Sequence, residues 1–287
     1  MTQSQYPFAL TRPAFVDHVH LVVSDLAAVS QFYQRIIGLA VIERQARGEV
    51  LGVAGRPLLT LERRSDAVRA PRTAAGLFHT AFLVPGRAEL AHWLAHAAEN
   101  GVRLEGASDH LVSEALYLSD PEGNGIEIYR DRQPDEWTYH ADGMVEMATE
   151  RLDLRLLHAE APQAPFRGMA EGTAIGHIHL QVGDVPEAET FYRDVMGLKL
   201  MARYPGASFF ATGDYHHHVA ANVWNSRNAG PRLQNMTGLA GYTLRFNDAA
   251  ALNETLASME ARQIKVRRNG NEWSLHDPWG IGIRLSP

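Results

Sequence analysis

The chain has 287 residues and a formal net charge of −6, with 45% hydrophobic and 21% charged side chains. This is the composition of a globular protein with enough apolar material for one large or two ordinary cores, and its mildly acidic balance, with no Lys/Arg-rich stretch, argues against nucleic-acid binding. It contains no cysteine, which excludes disulfides, thiolate nucleophiles, Fe–S clusters and Cys-type zinc sites.

The first predicted element is the alternating strand Val16–Val23. Asp25 then caps a helix that ends at Gly38, and a further strand follows at Pro57–Arg63. A second unit of the same order begins at Gly76 and ends with YLSDPEGNGIEIY at Tyr129. The next stretch is rich in Pro and acidic residues and reads as an ordered connector with one short amphipathic helix near Arg151–Ala161. The pattern then starts again. Asp184 caps a helix ending at Gly197, a strand follows at Val219–Asn225, and a last unit runs from Gly238 to the chain end.

These recurrences are an internal repeat. VDHVHLVVSDLAAVSQFYQRIIGLAVI, from Val16, aligns without a gap on IGHIHLQVGDVPEAETFYRDVMGLKLM at an offset of 159. GLFHTAFLVPGRAELAHWLA, from Gly76, aligns on GLAGYTLRFNDAAALNETLA at an offset of 162. The sequence thus predicts an α+β fold of four βαβββ modules that pair into two open, mixed, barrel-like sheets. By position the chain divides into an N-terminal extension (1–14), a first half holding modules one and two (15–131), a connector (132–173) and a second half holding modules three and four (174–287).

The 14 histidines are the compositional excess, and His is both the commonest metal ligand and the usual acid/base near neutral pH. Alternation puts His18 and His20 on one strand face, and His177 and His179 on another. Module two supplies His79 and, on its closing strand, Glu127 between Ile126 and Ile128. The corresponding positions in module four are Gly241 and Arg284, so that module cannot supply this pair. Module three adds His216, His217 and His218. Two histidines and one carboxylate with open positions suit a non-haem Fe(II) site. His79, Glu127 and His177 form it if modules two and three pair; His18 replaces His177 if modules one and two pair instead. Glu62 with His18 is a weaker possibility for a four-ligand site.

The pattern HxxLxVxDLxxxxxFYxxxxGL and the second-module DPEGNGIEIY resemble the vicinal oxygen chelate superfamily of glyoxalase I, bleomycin and fosfomycin resistance proteins and type I extradiol dioxygenases. SEALYLSDPEGNGIEIYRDR, IGHIHLQVGD and GDYHHHVAANVW are similar to the CatE-type catechol 2,3-dioxygenase branch. The resemblance spans nearly the whole chain. It implies Fe(II)-dependent ring cleavage of a small aromatic diol by O2, with Mn(II) as an alternative metal. It carries the ligand roles to His79, Glu127 and His177; the better-known extradiol enzymes pair modules three and four, whereas the residues here imply pairing of module two with three and of one with four. Tyr117, ten residues before Glu127, and His110 would hydrogen-bond the substrate. His218 is the expected acid/base, with His216 as runner-up because alternation places the two on one side. A glyoxalase-like isomerase or lyase and a metal-free binding protein are the rival readings. No run approaches the roughly 20 apolar residues that span a bilayer, and the start lacks a secretory pattern. A cytoplasmic protein without membrane or nucleic-acid partners is therefore expected, and exposed strand edges leave room for a homo-oligomer.

Overall fold

The structure is a computed structural model and describes residues 7–287; the first six residues of the N-terminal extension lie outside the described residues. Module one comprises β1 (Ala14–Val23), α1 (Leu26–Phe32), β2 (Ala40–Gln45), β3 (Gly48–Val53) and β4 (Arg56–Arg63). Module two comprises β5 (Gly76–Leu83), α2 (Arg87–Glu99), β6 (Gly106–Asp109), β7 (Ser113–Ser119) and β8 (Gly125–Asp131). The connector contributes a short strand, β9 (Glu150–Arg151), and α3 (Leu154–Ala159), so its helix is shorter than the sequence suggested. Module three comprises β10 (Ala174–Gln181), α4 (Val185–Glu189), β11 (Lys199–Tyr204), β12 (Ala207–Ala211) and β13 (Val219–Asn222). Module four comprises β14 (Gly238–Phe246), α5 (Ala249–Ala261), β15 (Arg267–Asn269), β16 (Glu272–His276) and β17 (Gly282–Ser286).

The predicted Asp caps are present. The Asp25 carboxylate accepts from the Ala28 amide and the Asp184 carboxylate from the Glu187 amide. Each satisfies one of the donors a helix start leaves free. Both helices widen into a π-type last turn, at Tyr33–Ile37 and Thr190–Val195, which the sequence pattern did not reveal. Gly38 closes the first in the left-handed region (φ 91°), where a side chain would be strained.

Each sheet draws one module from each half of the chain. Modules one and four form an eight-stranded sheet in the order β15-β16-β17-β14-β1-β4-β3-β2, and modules three and two form a nine-stranded sheet in the order β11-β12-β13-β10-β5-β8-β7-β6-β9. At the centre of each, two opening strands run antiparallel: β1 beside β14, and β10 beside β5. The registers correspond, since His20 lies opposite Gly241 as His179 lies opposite His79. β1 and β10 also pack against each other between the sheets, where Val19, Leu21, Ile178 and Leu180 share one buried core. Burying each such side chain contributes about 2 kcal/mol. Strand alternation then turns the intervening histidines away from that core, towards the concave side of each sheet. The Glu122 carboxylate accepts from the Ser24 and Asp25 amides at 2.8 and 2.7 Å, tying the module-two turn to module one. No helix among the described residues is long and apolar enough to cross a membrane.

Candidate metal centre and active site

Three strands of the nine-stranded sheet each deliver one donor. His79 comes from β5, Glu127 from β8 and His177 from β10, and all three are buried. The approach to β8 is a tight turn in which Asp120 Oδ1 accepts from the amides of Glu122 and Asn124, at 2.8 and 2.9 Å. Gly125 follows, and a Cβ there would lie 2.0 Å from the Phe78 carbonyl oxygen. Only glycine allows β8 to run this close to β5, and the closeness brings Glu127 under His79.

His79 Nε2 lies 2.8 Å and His177 Nε2 3.1 Å from Glu127 Oε2, and the two Nε2 atoms are 3.4 Å apart. Ligand atoms at about 2.1 Å from a divalent ion, at right angles to one another, are separated by about 3.0 Å. The three donors therefore have the spacing of one face of an octahedron, and they form a group able to hold a metal ion. The donor chemistry agrees. Burial opposes ionisation of Glu127, but the fields and hydrogen bonds of His177 and His79 outweigh it and hold the carboxyl well below its usual range. Burial pushes His177 down to about 4, against the pull of Glu127, so its ring is neutral at neutral pH, with a lone pair that can ligate. Its Nδ1 is buried without a partner.

A cavity of about 1040 Å³ opens onto this group. Tyr117 sits opposite Glu127 in the β7–β8 register, with its ring 5.5 Å from that of His79. Burial first, and then the Glu127 charge, push its phenol well above the ordinary range, so it remains a hydroxyl. His110 lies 2.7 Å from the Tyr117 hydroxyl through Nε2 and 2.7 Å from the Ala148 carbonyl through Nδ1. A carbonyl only accepts, so Nδ1 carries the proton, and Nε2 of the neutral ring accepts from Tyr117. Phe78, His179 and Trp224 form an aromatic wall, with ring centroids 4.9 to 5.4 Å apart.

The triple-histidine segment is arranged differently from the strand alternation expected for it. β13 begins only at Val219, so residues 216–218 lie in an irregular turn where period two does not apply. His218, expected as the acid/base, does not reach the cavity. It is fully buried beside Tyr215, its Nε2 is 3.1 Å from the Ala9 carbonyl, and its Nδ1 accepts from the Thr212 amide. Burial pushes it down to about 3. His216, the runner-up, does not line the cavity either, and its Nε2 lies 2.8 Å from Asp131 Oδ1. His217 does line the cavity. Its ring is 4.1 Å from His177 and its Nδ1 meets His216 Nδ1 at 2.8 Å. Nothing in the residue pattern singled it out.

His18 and Glu62 lie in the other sheet and do not join the group. His18 Nε2 is 2.8 Å from Thr60 Oγ1, and Glu62 pairs with Arg64 and lies 3.0 Å from His20 Nε2. In the nine-stranded sheet the place of Glu62 is taken by Asn222, which donates to His179 Nε2 at 2.9 Å. No fourth carboxylate is therefore available there.

Comparison with known proteins agrees with this architecture. The Glyoxalase/Bleomycin resistance protein/Dioxygenase superfamily matches residues 15–128 and 174–285. A catechol-2,3-dioxygenase of Bacillus subtilis (strain 168) is 38% identical over 267 residues, covering 92% of this chain and 93% of that protein. A biphenyl-2,3-diol 1,2-dioxygenase 3 of Rhodococcus globerulus is 28% identical over 140 residues, 44% of this chain and 69% of that one. Glyoxalase I from Zea mays shares the fold at a TM-score of 0.57 and 15% identity, covering 95% of this chain and 92% of that structure.

Proposed function

The chain belongs to the glyoxalase/bleomycin resistance protein/dioxygenase superfamily, and from that premise we propose that it is an Fe(II)-dependent extradiol dioxygenase that opens catechol-type rings with O2. The observation that carries the proposal is the buried facial set of two imidazoles and one carboxylate at the floor of the cavity. That set, with its remaining positions open, is the donor arrangement of non-haem Fe(II) oxygenases, and Mn(II) fits the same donors. When bound, the metal supplies Lewis acidity to the diol oxygens and a redox centre for O2.

The chain's own residues do the rest. His217 lines the cavity and takes a phenol proton from the diol, then returns it to the ring-opened product. Tyr117, backed by His110, offers a hydroxyl that orients the substrate. Phe78 and Trp224 hold the ring plane and exclude water. The product is a hydroxymuconic semialdehyde.

The glyoxalase-like reading is weakened by Ala220, which by register stands in module three where Glu127 stands in module two, so the module supplies no fourth carboxylate at that place. The metal-free reading required His79, Glu127 and His177 to lie apart, whereas they fall within 4.8 Å of one another.

The test is oxygen uptake when catechol is added to protein reconstituted anaerobically with Fe(II). Uptake of one O2 per catechol, with a yellow ring-opened product, is expected. Absence of uptake across a panel of substituted catechols would contradict the proposal.

A further inference from the structure

We infer that Asp131 and His216 form a buried relay that fixes the tautomer of His217, leaving bare and proton-accepting the Nε2 of a ring that lines the cavity. The inference rests on the reading of His217 as the acid/base, and it assigns positioning roles to two residues that do not touch the substrate.

The chain of contacts is short and enclosed. Asp131 Oδ1 lies 2.8 Å from His216 Nε2, and His216 Nδ1 lies 2.8 Å from His217 Nδ1. His216 is 0% and His217 5% exposed, so water does not substitute for either contact. A carboxylate only accepts, so His216 carries its proton on Nε2. A neutral His216 then has a lone pair at Nδ1, and the nitrogen–nitrogen contact requires a hydrogen from the other ring. His217 must supply it from Nδ1. Its Nε2 is left without a proton. The direction of every hydrogen in the row is thus set at its far end by Asp131.

Asp131 is itself held in place. Tyr215 donates its hydroxyl to Oδ2 at 3.0 Å, and that hydroxyl also meets the Tyr129 hydroxyl at 2.8 Å. Asp131 ends β8, four residues after Glu127, so one strand delivers both a metal-site carboxylate and the carboxylate of the relay. The eight-stranded sheet has no such row. By the β4 and β13 registers, its counterparts of His216 and His217 are Arg56 and Pro57, and Arg56 pairs with Asp17 instead.

The decisive experiment is long-range proton–nitrogen NMR on metal-free protein labelled with 15N-histidine. The His217 signals are assigned by their loss in His217→Asn. The relay predicts the Nδ1–H tautomer for His217 in the wild type. In Asp131→Asn the amide oxygen keeps the Tyr215 hydroxyl and the NH2 faces His216. The row then reverses, and His217 becomes the Nε2–H tautomer. An Nε2–H tautomer in the wild type overturns the inference without any relay variant, and so does a tautomer that Asp131→Asn leaves unchanged.

A kinetic cycle on the iron-loaded enzyme gives a second readout. Asp131→Asn should lower kcat about tenfold or more, with KM for catechol and iron content unchanged. Added to His217→Asn, it should cost less than about twofold more. An equal loss in both backgrounds would mark Asp131 as merely structural and overturn the relay. Full activity in His217→Asn would instead defeat the acid/base reading, while the NMR result still decides the tautomer.

Discussion

The two sheets were built from the same module and now differ at a handful of positions. In the nine-stranded sheet, His79, Glu127 and His177 meet beneath a cavity. In the eight-stranded sheet, the same places hold Gly241, Arg284 and His18, and Arg284 is exposed. Replacing one imidazole with nothing and the carboxylate with a cation removes any reason for an ion to bind. His18 persists as a half-buried ring bonded to Thr60. His20 and His179 show a subtler divergence, the first facing Glu62 and the second accepting from Asn222. The fold therefore supplies the positions, and a few side chains decide which sheet has chemistry.

Breaking the ligand set should give the largest effect. Glu127→Gln or His79→Ala should lower ring cleavage at least about a thousandfold, the loss of roughly 4 kcal/mol of transition-state stabilisation. Iron content measured by emission spectroscopy should fall with it. Changes in the other sheet, His18→Ala and Glu62→Gln, should leave kcat and iron content within about twofold.

Backbone closeness separates the sheets next. Gly125 and Gly282 occupy equivalent places in β8 and β17, but an added Cβ would lie 2.0 Å from the Phe78 carbonyl oxygen in one and 3.0 Å from the Ala240 carbonyl oxygen in the other. Gly125→Ala must push β8 away from β5, at a cost of about 1–3 kcal/mol. Thermal melting should show a clear loss of Tm together with reduced iron affinity. Gly282→Ala should lower Tm less and leave iron binding intact.

An effect confined to low pH is expected in acid stability. His218 corresponds to Leu58 in the other sheet, and burial pushes its imidazole down to about 3. Its unfolded-state value is near 6.5, so between those limits the unfolded chain binds the proton and the folded chain does not. Its contribution is fully present above pH 6.5 and is lost as pH falls towards 3. Urea melts across that range should show His218→Gln with a shallower decline than the wild type, by about one proton.

Much of this contrast was legible in the residues. The repeat revealed four modules, and the loss of His and Glu from module four implied which pair of modules holds a site. His79, Glu127 and His177 lie on regular strands, where alternation is a reliable guide to facing. The position proposed for the acid/base was not legible for the opposite reason. Residues 216–218 precede β13 in an irregular turn, so treating them as a strand placed His216 and His218 together and passed over His217. The relay was equally hidden, because Asp131 and His216 are 85 residues apart in the chain. The π-type last turns of the first and third modules leave no mark in a pattern of apolar spacing.

The nine-stranded sheet alone has the donors to hold a metal ion. The most direct test is the iron stoichiometry of protein reconstituted anaerobically with Fe(II) and freed of unbound metal, compared with Glu127→Gln treated in the same way. One ion per chain is expected in the wild type and none in the variant. Two ions per chain, or one retained by Glu127→Gln, would contradict that expectation.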